Sequence, residues 1–145
     1  ALGGGIVPVS AVVGRRDVLG VLTAGTHGST FGGNPLACAV ALAVVRLLAT
    51  GEHQARAAEL GVHLSERLDA LVAAGSLAGA RTVGLWAGID LAPDRGTGRA
   101  LSERLLARRV LVKDTHGQTV RLAPALTISR EDLDWGLDQL EDALR

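Results

Sequence analysis

The sequence has no methionine, no tyrosine, one cysteine, one lysine and three aromatic residues, Phe31, Trp86 and Trp135. So few rings leave no stacking platforms for single-stranded nucleic acid. Neither sign of charge predominates, because fifteen basic residues balance fifteen acidic ones. Neither nucleic acid nor an anionic membrane surface is therefore expected as a partner. Cys38 has no second thiol in the chain to pair with; this fits a reducing compartment, and a cytoplasmic location is the expectation. Lys113 is the one lysine, so any chemistry that needs a lysine must use it or take one from elsewhere. The lack of methionine, with Ala1 in first place, reads as a piece of a longer chain, a processed product or an unusual start.

Long hydrophobic runs are also missing. The longest, Pro35 to Val45, is closed by Arg46 and is too short to span a bilayer. The first residues carry Gly3-Gly4-Gly5 rather than a basic region followed by a long apolar run. The four histidines are dispersed, and Cys38 is expected inside a buried helix as a small core residue, so no metal site is expected. There is no Gly-x-Ser-x-Gly nucleophile elbow, although counting residues leaves a Ser-His-Asp triad open.

What is present suits a folded domain. Hydrophobic residues make up 48% of 145, which excludes a disordered chain of low hydrophobicity and allows a real core. Ile6–Val13 is β-branched and apolar and reads as a strand, at an edge or bulged because Pro8 lacks an N–H. Asp17–Leu22 reads as one or two helical turns. Gly25–Asn34 is a loop of glycines and hydroxyls, after which Asn34 caps a helix that begins at Pro35. That helix, to about Leu48, is apolar nearly all round and is expected to be buried on most sides. Gly51 ends or interrupts it.

From Glu52 the elements become ordinary amphipathic ones. Leu60, Leu64, Leu68 and Leu71 share one helix face. Val83, Leu85, Ala87, Ile89 and Leu91 alternate as in a half-buried strand. Pro93–Gly98 is a turn, and the next helix buries Leu101 and Leu105. Val110–Val112 and Thr119–Leu122 read as strands about a turn at His116-Gly117. Ser129 and Asp132 resemble a capping box for a last helix striped with Leu133, Leu137, Leu140 and Leu144. Residues 52–145 thus read α-β-α-β-β-α, an α+β unit with its own apolar faces. Residues 1–51 read as the end of a larger domain.

Two places can carry chemistry. In Gly25–Asn34 the glycines permit close backbone approach, Ser29 and Thr30 supply hydroxyls, and a helix starts just beyond, which suits a phosphate. The pattern is neither a P-loop nor a dinucleotide fingerprint, and on composition a glycine-rich turn before a capped helix is the commoner outcome. Arg121 stands in an otherwise apolar strand, where its fork can hold a carboxylate or simply face solvent.

Two strings, Leu2-Gly3-Gly4-Gly5-Ile6-Val7-Pro8-Val9-Ser10-Ala11 and Thr26-His27-Gly28-Ser29-Thr30-Phe31-Gly32-Gly33-Asn34-Pro35-Leu36-Ala37-Cys38-Ala39, closely resemble the class III aminotransferases. These are pyridoxal-phosphate enzymes of fold type I. Gly84–Leu91 and Val120-Arg121-Leu122-Ala123-Pro124 resemble, in the right order, the small C-terminal domain of that family. Lys113-Asp114-Thr115-His116-Gly117 looks most like its ornithine-type members, with the acetylornithine type as near neighbour.

The resemblance implies an α/β fold: 1–51 as the incomplete end of the large coenzyme-binding domain, and 52–145 as the small α+β domain. It implies that Thr30, with the Ser29 backbone beside it, meets the pyridoxal phosphate of the partner's site across a dimer interface, and that Arg121 holds the substrate α-carboxylate. The implied reaction moves an amino group from ornithine to 2-oxoglutarate. The family's Schiff-base lysine falls just before the residue that matches Ala1, and its ring-nitrogen aspartate and ring-stacking aromatic lie further upstream. No catalytic residue is therefore assigned within the chain. A homodimer or an assembly with an upstream polypeptide carrying that lysine is expected, and no turnover by the chain alone. The family usually has Arg-Gly-x-Gly where this sequence has Arg81-Thr82-Val83-Gly84, which puts the local turn in question. A fragment acting on acetylornithine or another ω-amino acid, a non-catalytic interaction module and a simple phosphate-ester binder stay open as alternatives.

Overall fold

The structure is a computed structural model and describes residues 2–145. The chain divides into two compact units, Ala1–Gly51 and Glu52–Arg145.

The first unit has little regular structure. The expected strand at Ile6–Val13 is absent; the segment is turn and then irregular backbone. The Gly3 carbonyl accepts from the N–H groups of Ile6 at 2.9 Å and Val7 at 3.4 Å, which curls the glycine-rich start back on itself. Beyond Pro8 no strand among the described residues supplies the other half of a ladder. Strand propensity reads the residues and not the neighbour, and the neighbour decides. Helix α1 is a single turn, Arg16–Leu19, which starts one residue before the expected Asp17–Leu22 and stops short of its end.

Helix α2, Pro35–Leu48, starts where the sequence places it. Asn34 Oδ1 accepts the Ala37 N–H at 2.9 Å, and Pro35 fills a first-turn position that has no N–H to satisfy. Its expected burial is not found. Ala37 is its one buried residue, while Leu36, Leu42, Val45 and Leu47 are exposed. Cys38 is exposed as well, not a core residue. An all-round apolar helix is buried only where other elements cover it, and this unit has none long enough.

The second unit is built round one core. Helix α3, Glu52–Ala73, buries Leu60, Gly61, Leu64 and Leu68. Next come strands β1, Gly79–Val83, and β2, Trp86–Asp90. The single strand expected over Val83–Leu91 is therefore the end of one hairpin arm and the whole of the other. Gly84, at φ +54°, makes the reversal, a backbone state that L-residues with side chains seldom adopt. The same turn packs on α3: a Cβ on Gly61 would lie 2.6 Å from the Gly84 Cα. Thr82 does not spoil the turn. It pairs with Ala87 in the ladder, and its Oγ1 lies 3.0 Å from Ser65 Oγ on α3.

A 3-10 turn, Pro93–Arg95, leads to helix α4, Gly98–Ala107, whose Leu101 and Leu105 are fully buried. Val110–Val112 is not a strand. The Val110 N–H bonds the Leu105 carbonyl at 2.9 Å, so this segment completes the exit from α4. Val110 and Val112 pack against the core from there. Strands β3, Lys113–Thr115, and β4, Thr119–Leu122, follow. Their turn contains His116 and Gly117, as expected, both at positive φ. Helix α5, Arg130–Leu144, closes the unit. Ser129 Oγ accepts the Asp132 N–H at 2.9 Å and donates to the Asp132 carboxylate at 2.7 Å; this is a cap, without the reciprocal bond to the Ser129 backbone N–H that a full box would have.

The order is thus α-β-β-α-β-β-α, one strand more than the sequence suggested. The sheet is antiparallel throughout, in the order β1-β2-β4-β3. Ala87, Ile89 and Val120 on one face join the leucines of α3, α4 and α5 in a single cluster. The alternate residues stand on the other face, and that face carries the polar chemistry.

Candidate functional site

The Gly25–Asn34 loop brings Ser29 and Thr30 together at the surface. Ser29 Oγ accepts the Gly32 N–H at 2.9 Å, so its own proton stays available to a ligand. Gly32 is needed for that turn, because a Cβ there would stand 2.9 Å from Ser29 Cβ and Oγ. At the far end Asn34 Nδ2 donates to the Phe31 carbonyl at 2.8 Å, which ties the loop to the cap of α2. The Thr30 hydroxyl has no hydrogen-bond partner among the described residues. The loop contains no acidic residue. Hydroxyl donors without an anion beside them fit a phosphate.

Arg121 belongs to the other unit, on the interior strand β4. It faces away from the core and is exposed. The register places four residues in a row across this outer face: Arg81, Gly88, Arg121 and Lys113. Arg81 is bound to Asp90 through its two terminal guanidinium nitrogens, Nη2 at 3.2 Å. Lys113 Nζ lies 3.4 Å from Asp114. Arg121 has neither a hydrogen bond nor an ion pair among the described residues, and over Gly88 beside it lies the guanidinium of Arg81. An uncommitted guanidinium can take a carboxylate through two parallel N–H bonds.

Sequence reasoning missed the cluster next to Arg121. Asp90 accepts from Arg81 and also from Thr119 Oγ1 at 2.6 Å. The Arg81 guanidinium and, after it, the Thr119 hydroxyl hold the Asp90 carboxyl below the usual carboxylate range. Seeing the hairpin about Gly84 would have revealed it, because the hairpin puts Arg81 diagonally across from Asp90. A second polar network joins α3 to α5. His63 Nε2 meets Asp134 at 2.5 Å, and Arg67 bridges Asp134 at 3.1 Å and Asp138 at 2.7 Å. It lies on helix surfaces and links packed elements.

Among the described residues no group of three or more His, Cys, Asp or Glu side chains is placed to hold a metal ion. No single described helix is long and apolar enough to cross a membrane. A groove of about 380 Å³ runs beside Val110, Val112, Pro124, Ile128 and Trp135. It is mainly apolar, with Arg109 and Asp132 on its wall, and Ser29, Thr30 and Arg121 are not among the residues that line it.

An antiparallel α+β unit with an unpaired arginine on its outer face, and a hydroxyl-rich loop before a capped helix, are the features to set beside known proteins. The family model for aminotransferase class III matches residues 1–144, and the chain is a member of that family. Enzymes of that family use pyridoxal phosphate. The chain is 51% identical over 144 residues to an ornithine aminotransferase of Bordetella pertussis, covering 99% of this chain and 34% of that protein. With the ornithine aminotransferase of Bacillus subtilis it shares 41% over 145 residues, which is 100% of this chain and 35% of the other. Among solved structures, an acetylornithine aminotransferase from Elizabethkingia anophelis superposes with a TM-score of 0.83 at 37% identity, over 99% of this chain and 36% of that one. An ornithine aminotransferase from Toxoplasma gondii, described with partial occupancy of pyridoxal phosphate at its active site, gives 0.81 at 35%, over 99% and 34%. The chain thus spans about a third of the length of these relatives and has the fold of their C-terminal part.

Proposed function

We propose that these residues form the C-terminal part of an ornithine aminotransferase, which moves the δ-amino group of ornithine to 2-oxoglutarate. The observation that carries this reading is the unpaired Arg121 guanidinium on the outer face of the sheet. Arg121 holds a substrate α-carboxylate, the role the family resemblance implies for it. Its planar fork fixes the direction of the carboxylate as well as its charge. Thr30 donates its hydroxyl to the coenzyme phosphate, and Ser29 holds the loop in shape through the Gly32 N–H. We place Thr30 against the site of a partner protomer, in a homodimer or in an assembly that includes an upstream polypeptide, in the cytoplasm.

Pyridoxal phosphate, when bound, supplies the carbonyl that takes up and returns the amino group, together with the electron sink. The chain's own lysine is not suited to anchor it. The Lys113 side chain is 63% exposed and sits against Asp114, whereas an anchoring lysine is activated by desolvation or a neighbouring cation. We therefore expect no turnover by the 145 residues alone.

The test joins these residues to the upstream two thirds of an ornithine aminotransferase and compares the fusion with the chain by itself. The fusion is expected to consume ornithine and 2-oxoglutarate, and the chain alone to consume neither. Turnover by the isolated chain would refute the reading. A fusion that prefers N-acetylornithine would move the assignment to the acetylornithine type, and a folded fusion inactive with both would favour a non-catalytic interaction module.

A further inference from the structure

Two arginines stand in equivalent places about Asp90, and only one is paired with it. In the β1–β2 register Arg81 is opposite Gly88, and Gly79 is opposite Asp90. In the β2–β4 register Arg121 is opposite Gly88, and Thr119 is opposite Asp90. Each arginine is therefore one diagonal step from Asp90, about 7–8 Å between backbones, which a long side chain spans. Both stand on the outer face, and Gly88 separates them without a side chain.

The structure resolves the competition in favour of Arg81. Its guanidinium passes over Gly88, where a Cβ would stand 3.3 Å from Nη2, and meets both oxygens of Asp90. Thr119 Oγ1 adds a further donor to Oδ1 at 2.6 Å. With its charge matched and both oxygens occupied, Asp90 has little to offer a second cation. Arg121 is left without a partner among the described residues.

We propose that Arg81 is a positioning residue: by occupying Asp90 it keeps the Arg121 guanidinium free for a substrate carboxylate. This rests on the reading of Arg121 as the carboxylate-binding group. Without Arg81, the Asp90 carboxylate keeps Thr119 as its one donor and an unmatched charge, and Arg121 is the cation its register offers. The clamp is then occupied by the protein's own carboxylate, and a substrate must displace it.

The test measures how fast each arginine in the 145-residue chain reacts with phenylglyoxal, followed by peptide mass spectrometry. The reagent adds to free guanidine groups and is slowed by an ion pair. In Arg81→Ala, Arg121 is expected to react about threefold to fivefold more slowly than in the wild type, the range an exposed ion pair allows. Arg81→Lys, which can still hold Asp90, restores the wild-type rate, and so does the double variant Arg81→Ala with Asp90→Asn. Exposed Arg16 reacts equally in all of them. A variant that merely loosened the sheet would speed modification, the opposite sign. If Arg81→Ala does not fold, Arg81→Gln carries the same expectation. An Arg121 rate unchanged or raised by loss of Arg81 would overturn the proposal. A separate arm adds 2-oxoglutarate to the wild-type chain fused to the upstream two thirds of an ornithine aminotransferase, which supplies the rest of the proposed site. If it fails to shield Arg121 while the effect of Arg81 persists, the carboxylate-binding reading falls and the Arg81–Asp90 relation stands. If shielding is seen and Arg81 has no effect, the positioning role falls alone.

Discussion

Helices α2 and α3 stand next to one another in sequence and have opposite relations between composition and burial. In α2, Arg46 is the one charged residue among 14, yet only Ala37 is buried. In α3, acids, bases and histidines alternate with leucines over 22 residues, yet Leu60, Leu64 and Leu68 are almost wholly buried. The difference lies in what each helix meets. The α3 stripe closes on a sheet and two more helices from its own unit, whereas the unit containing α2 provides no comparable surface. Apolar content makes a helix capable of burial; a complementary surface makes it buried.

That contrast can be broken by truncating one leucine in each helix. Leu68→Ala removes a side chain with no exposed area and is expected to cost about 3 kcal/mol of unfolding free energy. Leu42→Ala, in α2, shortens a side chain that is 50% exposed and is expected to cost less than about 0.5 kcal/mol. Urea unfolding followed by circular dichroism measures both. Equal costs would mean that α2 is packed in solution and that the two units do not differ in this way.

A smaller effect sharpens the contrast within the second unit, between its sealed core and its open sheet face. Arg81 and then Thr119 hold the folded Asp90 carboxyl below its ordinary value. A carboxyl depressed by folding contributes stability that is present above about pH 4 and is lost as pH falls through its folded value. Asp90→Asn removes that contribution. The urea midpoint of the wild type is therefore expected to fall more steeply below about pH 4 than that of the variant, and parallel acid limbs would deny the pair any role in stability.

The legible and the illegible parts of this chain separate along the same line. Local signals held: Asn34 before Pro35, Ser129 before the last helix, the Leu60–Leu64–Leu68 stripe, and the His116-Gly117 turn are all where residue chemistry puts them. These depend on bonds within a few residues or on one helix face. What failed needed a neighbour. Ile6–Val13 has the residues of a strand and no partner. Val110–Val112 has them too, but gives its first N–H to the end of α4. The break at Gly84 was hidden because Val83 and Leu85 continue an alternation that the backbone reverses. The candidate site divides in the same way. Ser29, Thr30 and Arg121 could be picked out by residue type and family resemblance. Arg81 and Asp90, nine positions apart, meet only because the hairpin folds them across one another.

The role of Arg121 is tested most directly in the fusion of this chain to the upstream two thirds of an ornithine aminotransferase, by steady-state kinetics of Arg121→Lys. Lysine keeps the charge and loses the fork. The expected result is a KM for the substrate whose α-carboxylate Arg121 holds, ornithine or 2-oxoglutarate, raised by about tenfold or more, with affinity for pyridoxal phosphate unchanged. Unaltered KM values for both substrates would contradict a carboxylate clamp at Arg121.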